Sequence, residues 1–349
     1  MRQLLFKLIG LAILLGSLLL GWIGMQYQAF MDQSLVNGEQ ADLLMVAPGS
    51  SLYAIARDLQ GRGWIQDARY FVWMARLRGD AQRVRAGEYR VAPGTTPPQL
   101  LQQLVQGRVV QHSFTIIEGW SFKEMMQQLR AHEALLHTLE DPAQIMAELG
   151  YADLHPEGQF LPETYHFPRG FTDVQLLARA HQALQQVLQQ AWETRQPDLP
   201  LTSPYETLIL ASIIERETGL VSERDAIAGV FIRRLQRDMR LQTDPTVIYG
   251  MGDGYEGRIR RRDLLTDTPY NTYTRHGLTP TPIAMPSAEA IHAALNPLAG
   301  DSLYFVARGD GSHHFSATYE QHREAVRRYQ LNRREDYRSS PTPQAQSQP

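Results

Sequence analysis

Two glutamates, Glu215 and Glu217, close the stretch TLILASIIERETGL at 207–220. Leu210, Ile213 and Ile214 precede Glu217 by seven, four and three positions, spacings that share one face of a helix. The pattern predicts a helix with Glu217 at the end of an apolar stripe and Glu215 pointing away from it. Desolvation penalises the charged form of a carboxyl. Glu217 is therefore expected to keep its proton near neutral pH, the state a general acid requires. Thr218 follows, and Gly219 supplies a helix stop. The competing assignment is structural, with Glu217 ion-paired to Arg216 or Arg224.

Three further stretches carry polar chemistry. In LQTDPTVIYGMGDGYEGRI, 241–259, Asp244-Pro245 favours a turn, and Gly250, Gly252, Gly254 and Gly257 read as a flexible loop. No βαβ frame surrounds these glycines, so they are no dinucleotide fingerprint, and Asp253 lacks the ligand series of a calcium loop. DTPYNTYTRHGLTPTPIAMPSAEAI, 267–291, sets Tyr270, Asn271 and Tyr273 side by side. Rings stack on pyranose faces and amides pair with hydroxyls and N-acetyl groups, so this trio suits a sugar. EGQFLPETYHFP, 157–168, reads as ordered and non-helical, with Glu163 and Tyr165 available to line a cleft. His313-His314 reads as a surface pair, since no further donors accompany it for a metal; neither a metal nor a cofactor is expected.

These residues need a scaffold, and the chain of 349 residues is long enough for about two domains. Apolar residues make up 43% and charged ones 20%, as in a globular protein, and a net charge of −3 gives no overall signal for nucleic acid. The absence of cysteine excludes disulfides, thiolate catalysis and Cys-based metal sites. Between Lys7 and Asp32 the chain carries no charge. About twenty residues at 1.5 Å each cross a ~30 Å hydrocarbon core, which predicts an uncleaved transmembrane anchor over 1–30. Arg2 and Lys7 place the N-terminus in the cytoplasm, and Trp22 and Tyr27 suit the far interface.

A repeat follows the anchor. VAPGSSLYAIARDL at 46–59 recurs as VAPGTTPPQLLQQL at 91–104 and, more loosely, as IIEGWSFKEMMQQL at 116–129. Each copy reads as a strand end, a Gly turn, a Ser or Thr cap and an amphipathic helix. Helices are expected over 130–155 and 174–195, after Ser222 with Asp225 as its cap, over 287–295 and over 317–337; strands are expected at 303–307 and through Phe315. The tail, SSPTPQAQSQP, is disordered by composition. The fold class is α+β: a transmembrane helix, a small module over 40–130, a larger mixed domain over 131–337 that contains the glutamate helix, and a tail over 338–349.

Taken together, EGQFLPETY, LASIIERET, SERDAIAGVFIRRL, MRLQTDPTVIYGMG, TPYNTYTRHGLTPTPIA and LYFVARGDGSHHFS resemble the MltG/YceG family of endolytic murein transglycosylases, in order and spacing, from the anchor to about residue 330. Gln159 departs from the aromatic or apolar residue usual after Glu-Gly in that family. The resemblance implies a LysM-like module ahead of a catalytic domain, an inner-membrane anchor and a periplasmic site. It also implies a peptidoglycan substrate, action near penicillin-binding synthases, and Glu217 as the catalytic acid. Thr218, Gln242, Thr243, Asp244, Tyr249, Tyr270, Asn271 and Tyr273 are then the candidates for holding the glycan. Two other readings remain: a hydrolase with Asp244 as second carboxylate, and a tethered glycan-binding scaffold without activity.

Overall fold

The computed structural model describes residues 2–36 and 38–331, with side chains described from residue 6 onward. The tail expected at 338–349 and the end of the last expected helix lie outside the described residues. The chain separates into two compact units. The first comprises residues 1–112 and 166–171, and the second 113–165 and 172–349.

The first unit begins with α1 (Arg2–Asp32), whose Phe6–Asp32 segment is long and apolar enough to cross a membrane. Its last turn stops being a lipid-type surface: Phe30, then Leu35 and Val36, are buried in the core of the unit. β1 (Asp42–Val46) leads into α2 (Leu52–Gly61) and α3 (Ala68–Leu77); β2 (Gly87–Val91) leads into α4 (Pro97–Gln106). β1 and β2 pair antiparallel with Leu44 opposite Tyr89. Alternate residues of the pair, Leu44, Val46, Tyr89 and Val91, are buried with Ile55, Leu59, Phe71, Leu100 and Leu104 of the helices.

β3 (Gln111–Thr115) leads into α5 (Phe122–Arg130), and the three sequence repeats become three copies of one local structure. Ser51, Thr96 and Ser121 stand at the three N-caps, with capping boxes at Thr96–Gln99 and Ser121–Glu124. The turn glycines Gly49, Gly94 and Gly119 adopt φ of 79°, 79° and 75°, a conformation side chains resist.

Residues 130–155 do not form the expected helix. Beyond Arg130, which ends α5, only α6 (Ile145–Glu148) and a preceding 3₁₀ turn capped by Asp141 are helical among them. Pro142 and Gly150, which has φ 88°, confine the helical run to one turn. β4 (Thr164–Pro168) pairs with β3. The second unit continues with α7 (Asp173–Glu193), α8 (Pro204–Glu217), α9 (Arg224–Gln236), α10 (Asp244–Met251), α11 (Arg261–Leu265) and α12 (Ala288–Leu295). The hairpin β5 (Tyr304–Ala307) and β6 (His313–Ser316) then precedes α13 (Tyr319–Val326).

α8 is the axis of this unit. Thr207 to Ile214 are all buried, eight residues in succession, so the helix is covered on every side rather than along one stripe. Its neighbours are α7, α9, α10 and α12. Two other expectations change. Asp244-Pro245 opens helix α10 instead of a loop, because a proline in the first helical turn gives up an N–H that would be unpaired anyway. Ser222 lies in a 3₁₀ turn, and Glu223 takes the N-cap of α9.

Candidate active site

The two glutamates at the end of α8 meet different fates. The Glu215 side chain is buried, 2.7 Å from the Arg224 guanidinium, and accepts the backbone N–H and hydroxyl of Ser287. Burial raises its pKa against those bonds. Arg224 is itself buried and also donates to Ser287 Oγ and Glu118. Arg216 donates to the Gly119 carbonyl. Both arginines that could have neutralised Glu217 are thus engaged elsewhere.

Glu217 has no cationic partner among the described residues. Its Oε1 accepts the hydroxyl of Thr243. Burial pushes its pKa up to about 7 and the charge of Asp244 adds to the rise, while the Thr243 hydrogen bond opposes it. Unlike the carboxyl of Glu215, that of Glu217 opens on a cavity of about 360 Å³.

That cavity gathers Gln242, Asp244 and Tyr273 of the expected set with Glu217. Gln242 holds a left-handed φ of 52°, and its Oε1 accepts from Arg234 at 3.2 Å. Tyr273 donates its hydroxyl to Asp244 Oδ1 at 2.6 Å; burial and that carboxylate raise the phenol's pKa. Thr243 stands at the N-cap of α10 but accepts no bond from that helix's N–H groups; its hydroxyl donates instead to Glu217.

The other candidates lie elsewhere. Thr218 is buried and accepts the N–H of Leu220, which ends α8 rather than facing the cavity. Asn271 is 1% exposed, and its amide donates to the carbonyls of Asp263, Leu264 and Thr266. It is placed as a loop anchor, out of reach of a sugar hydroxyl. Its neighbour Thr272 ties the two polar stretches together, accepting the N–H of Thr243 at 3.1 Å and sharing a bond with the Thr246 hydroxyl at 2.9 Å.

Tyr249 and Tyr270 meet edge to face, 4.9 Å between ring centroids, on a second cavity of about 720 Å³. Gly250 permits this packing: a Cβ there would sit 3.1 Å from Tyr270 Cβ. Tyr249 donates at 3.1 Å to Glu157, which is 3% exposed, also accepts the Phe122 N–H, and is raised by burial to a pKa of about 7. A larger depression, about 940 Å³, is lined by Phe122, Met126 and Leu154 among others and holds neither raised carboxyl. Glu163 is exposed, and Tyr165 is buried with its hydroxyl on the Leu161 carbonyl, so neither lines a cleft as expected.

Among the residues of the Glu217 cavity that the sequence reading did not place there are Arg234, Tyr304, His313 and His322. Arg234 is buried and donates to the carbonyls of Leu303, Arg240 and Leu241, with its guanidinium 5.0 Å from the Tyr304 ring centroid. Its signal was available, since it follows Phe231 by three and Ile227 by seven on the apolar face of α9. His313 is no surface residue: it is 8% exposed, its N–H donates to Glu223, and Nδ1 lies 2.7 Å from the same carboxylate. Strand alternation turns it inward. No group of three or more His, Asp or Glu poised to hold a metal occurs among the described residues.

A family model described as the YceG-like family matches residues 44–328. The chain belongs to the YceG-like family. Within that family, it is 31% identical over 304 residues to a protein of Bacillus subtilis (strain 168) named endolytic murein transglycosylase, covering 81% of this chain and 83% of the relative. It is 28% identical over 341 residues to a protein of the same name from Streptococcus pneumoniae, of which the match spans 61%. The crystal structure of a putative yceG-like protein from Listeria monocytogenes superposes with a TM-score of 0.52 at 28% identity, covering 82% of this chain and 99% of that one. Among the described residues this YceG-like chain mixes helix and sheet behind one apolar N-terminal helix, in keeping with the α+β class expected from the sequence.

Proposed function

We propose that this protein is a membrane-anchored endolytic lytic transglycosylase that cuts peptidoglycan between N-acetylmuramic acid and N-acetylglucosamine. The observation that carries the proposal is the carboxyl of Glu217, free of any cation and raised to about 7, on the wall of a cavity. Relatives named endolytic murein transglycosylase supply the substrate class. The cavity's size, about 360 Å³, lies within the roughly 300–1,000 Å³ usual for ligand sites.

Protonated Glu217 donates to the glycosidic oxygen as the bond to muramoyl C1 breaks. The resulting carboxylate then takes the proton from the C6 hydroxyl of the same sugar, whose oxygen bonds to C1 and closes a 1,6-anhydro ring. One carboxyl serves both steps because the nucleophile is part of the substrate. The charge of Asp244 faces the same cavity and stabilises positive charge developing at C1, while Tyr273 fixes its orientation. Gln242 offers an amide to the sugar. Tyr249 and Tyr270 form an aromatic wall on their own cavity, fit for stacking on a neighbouring sugar of the strand.

α1 anchors the chain in the plasma membrane with its N-terminus cytoplasmic and the folded remainder outside, residues 40–130 acting as a LysM-like module. Cutting nascent strands beside penicillin-binding synthases would limit their length. The presence of Asp244 beside Glu217 favours one second reading, hydrolysis through a paired carboxylate.

Full-length protein in detergent, incubated with glycan strands and followed by mass spectrometry of the products, tests all readings. Anhydro-ended muropeptides lost in Glu217→Gln carry the proposal. Reducing ends establish the hydrolase, and intact strands with binding retained establish a scaffold.

A further inference from the structure

α3 ends in an unusual way for a helix in water. Its inner face is the buried set Phe71, Val72, Met74 and Ala75, yet its outer edge presents Trp73, 49% exposed, and Leu77, 79% exposed. These two lie next to Tyr70 and Arg76 across an open cleft of about 520 Å³, whose other wall is Leu20, Ile23, Gly24 and Tyr27 of α1. The two helices are held at this place by Phe30 and Tyr70, whose ring centroids are 5.7 Å apart, and Tyr70 in turn stands edge-on to Trp73 at 5.9 Å.

The depth of this cleft follows from α1 itself. Lys7 is the last charge before the apolar run. About twenty residues of helix cross the hydrocarbon core, so a span that starts at Leu8 leaves it near Tyr27. Leu20 and Ile23 then lie inside the apolar layer, and a helix that faces them across a cleft is at the margin of that layer. Tyr70 and Trp73 have the amphipathic rings favoured at such a margin, and Arg76 has the long stem and charged head that reach from it to a phosphate. The Arg76 guanidinium has no ion-pair or hydrogen-bond partner among the described residues.

We propose that the Trp73–Leu77 edge of α3 is a membrane contact: the cleft between α1 and α3 takes a phospholipid acyl chain from the leaflet facing the folded units, with Arg76 on its phosphate. This rests on the reading of α1 as a membrane-spanning anchor. The first unit is then fixed against the bilayer by two elements rather than hung from one, and the exposed Leu77 is apolar because its surroundings are lipid.

The chain has no cysteine, so single cysteines report without background. Leu14→Cys, in the middle of the apolar run, and Leu77→Cys, both at exposed positions outside the core, are spin-labelled in full-length protein reconstituted into phosphatidylethanolamine–phosphatidylglycerol vesicles. Power saturation then compares relaxation by dissolved oxygen, which concentrates in lipid, with relaxation by a water-soluble nickel chelate. Both positions are expected to respond to oxygen and to lose access to nickel. A label at position 77 open to nickel while position 14 is protected overturns the membrane contact and leaves the anchor standing. A label at position 14 open to nickel removes the anchor and the contact with it.

Discussion

The hydroxyl of Thr243 donates to Oε1 of Glu217, joining the N-cap of α10 to the last residue of α8 across 26 positions of sequence. The bond favours the ionised carboxyl, whereas burial and the charge of Asp244 favour the protonated one. Glu217 is held near neutrality by opposed influences, two of which come from the adjacent residues Thr243 and Asp244.

Those two influences can be separated by the basic limb of the pH–rate profile. A general acid must be protonated, so kcat/KM is expected to fall as pH rises through about 7. Thr243→Val removes the bond that lowers the pKa and moves that limb to higher pH. Asp244→Asn removes a charge that raises it and moves the limb to lower pH. Limbs that stay put in both variants would separate this titration from Glu217.

Glu217→Gln is expected to lower turnover by about 10²–10⁴-fold, the usual contribution of a positioned proton donor, with the fold retained. The same variant carries a stability signature. Between the ordinary carboxyl value of 4.5 and about 7, the folded protein holds a proton on Glu217 that the unfolded chain has released. Stability contributed by this group therefore falls as pH rises through that window, by at most about 3 kcal/mol. Thermal midpoints of Glu217→Gln and parent should coincide near pH 4 and separate in favour of the variant toward pH 8.

Arg224→Met should strand the buried carboxyl of Glu215 and cost about 3–5 kcal/mol in urea unfolding. Glu215→Gln should lose stability while leaving the pH limb where it was, because Glu215 is bonded to Arg224 and Ser287 and faces no cavity with Glu217. A shifted limb in Glu215→Gln would mean that the two glutamates are coupled after all.

Gly158 adopts φ 73°, and a Cβ there would lie 2.4 Å from Pro282 Cβ and 3.1 Å from the Ala284 carbonyl oxygen. Gly158→Ala combines a disfavoured backbone with a clash against a rigid ring, and is expected to cost more than about 2 kcal/mol. An unchanged urea midpoint would show that the loop between Glu157 and Pro282 can move apart.

Local structure was largely legible along the chain. The three repeats became three strand–turn–cap–helix units because a glycine with positive φ and a Ser or Thr cap act within a few residues of themselves. Asp244-Pro245 was misread, since the same pair suits a turn or a helix start, and packing of Val247 and Thr246 into the core selects the helix. Asn271 was assigned to sugar from its chemistry, and only its three carbonyl partners reveal that its amide is already satisfied.

The apolar spacing before Glu217, the uncharged run after Lys7 and the repeated caps determined which segments would bury a carboxyl, form an apolar helix long enough to cross a bilayer, and start helices. They selected Glu217 by helix face and turned Glu215 away from the apolar stripe, whereas the Glu215 side chain is buried as well. Burial raises the pKa of both carboxyls, and their difference lies in partners distant in sequence: Arg224 and Ser287 for one, Thr243 and an open cavity for the other. Proton affinity at a buried group is set by which charges and donors surround it, and those neighbours come together only when the chain is folded.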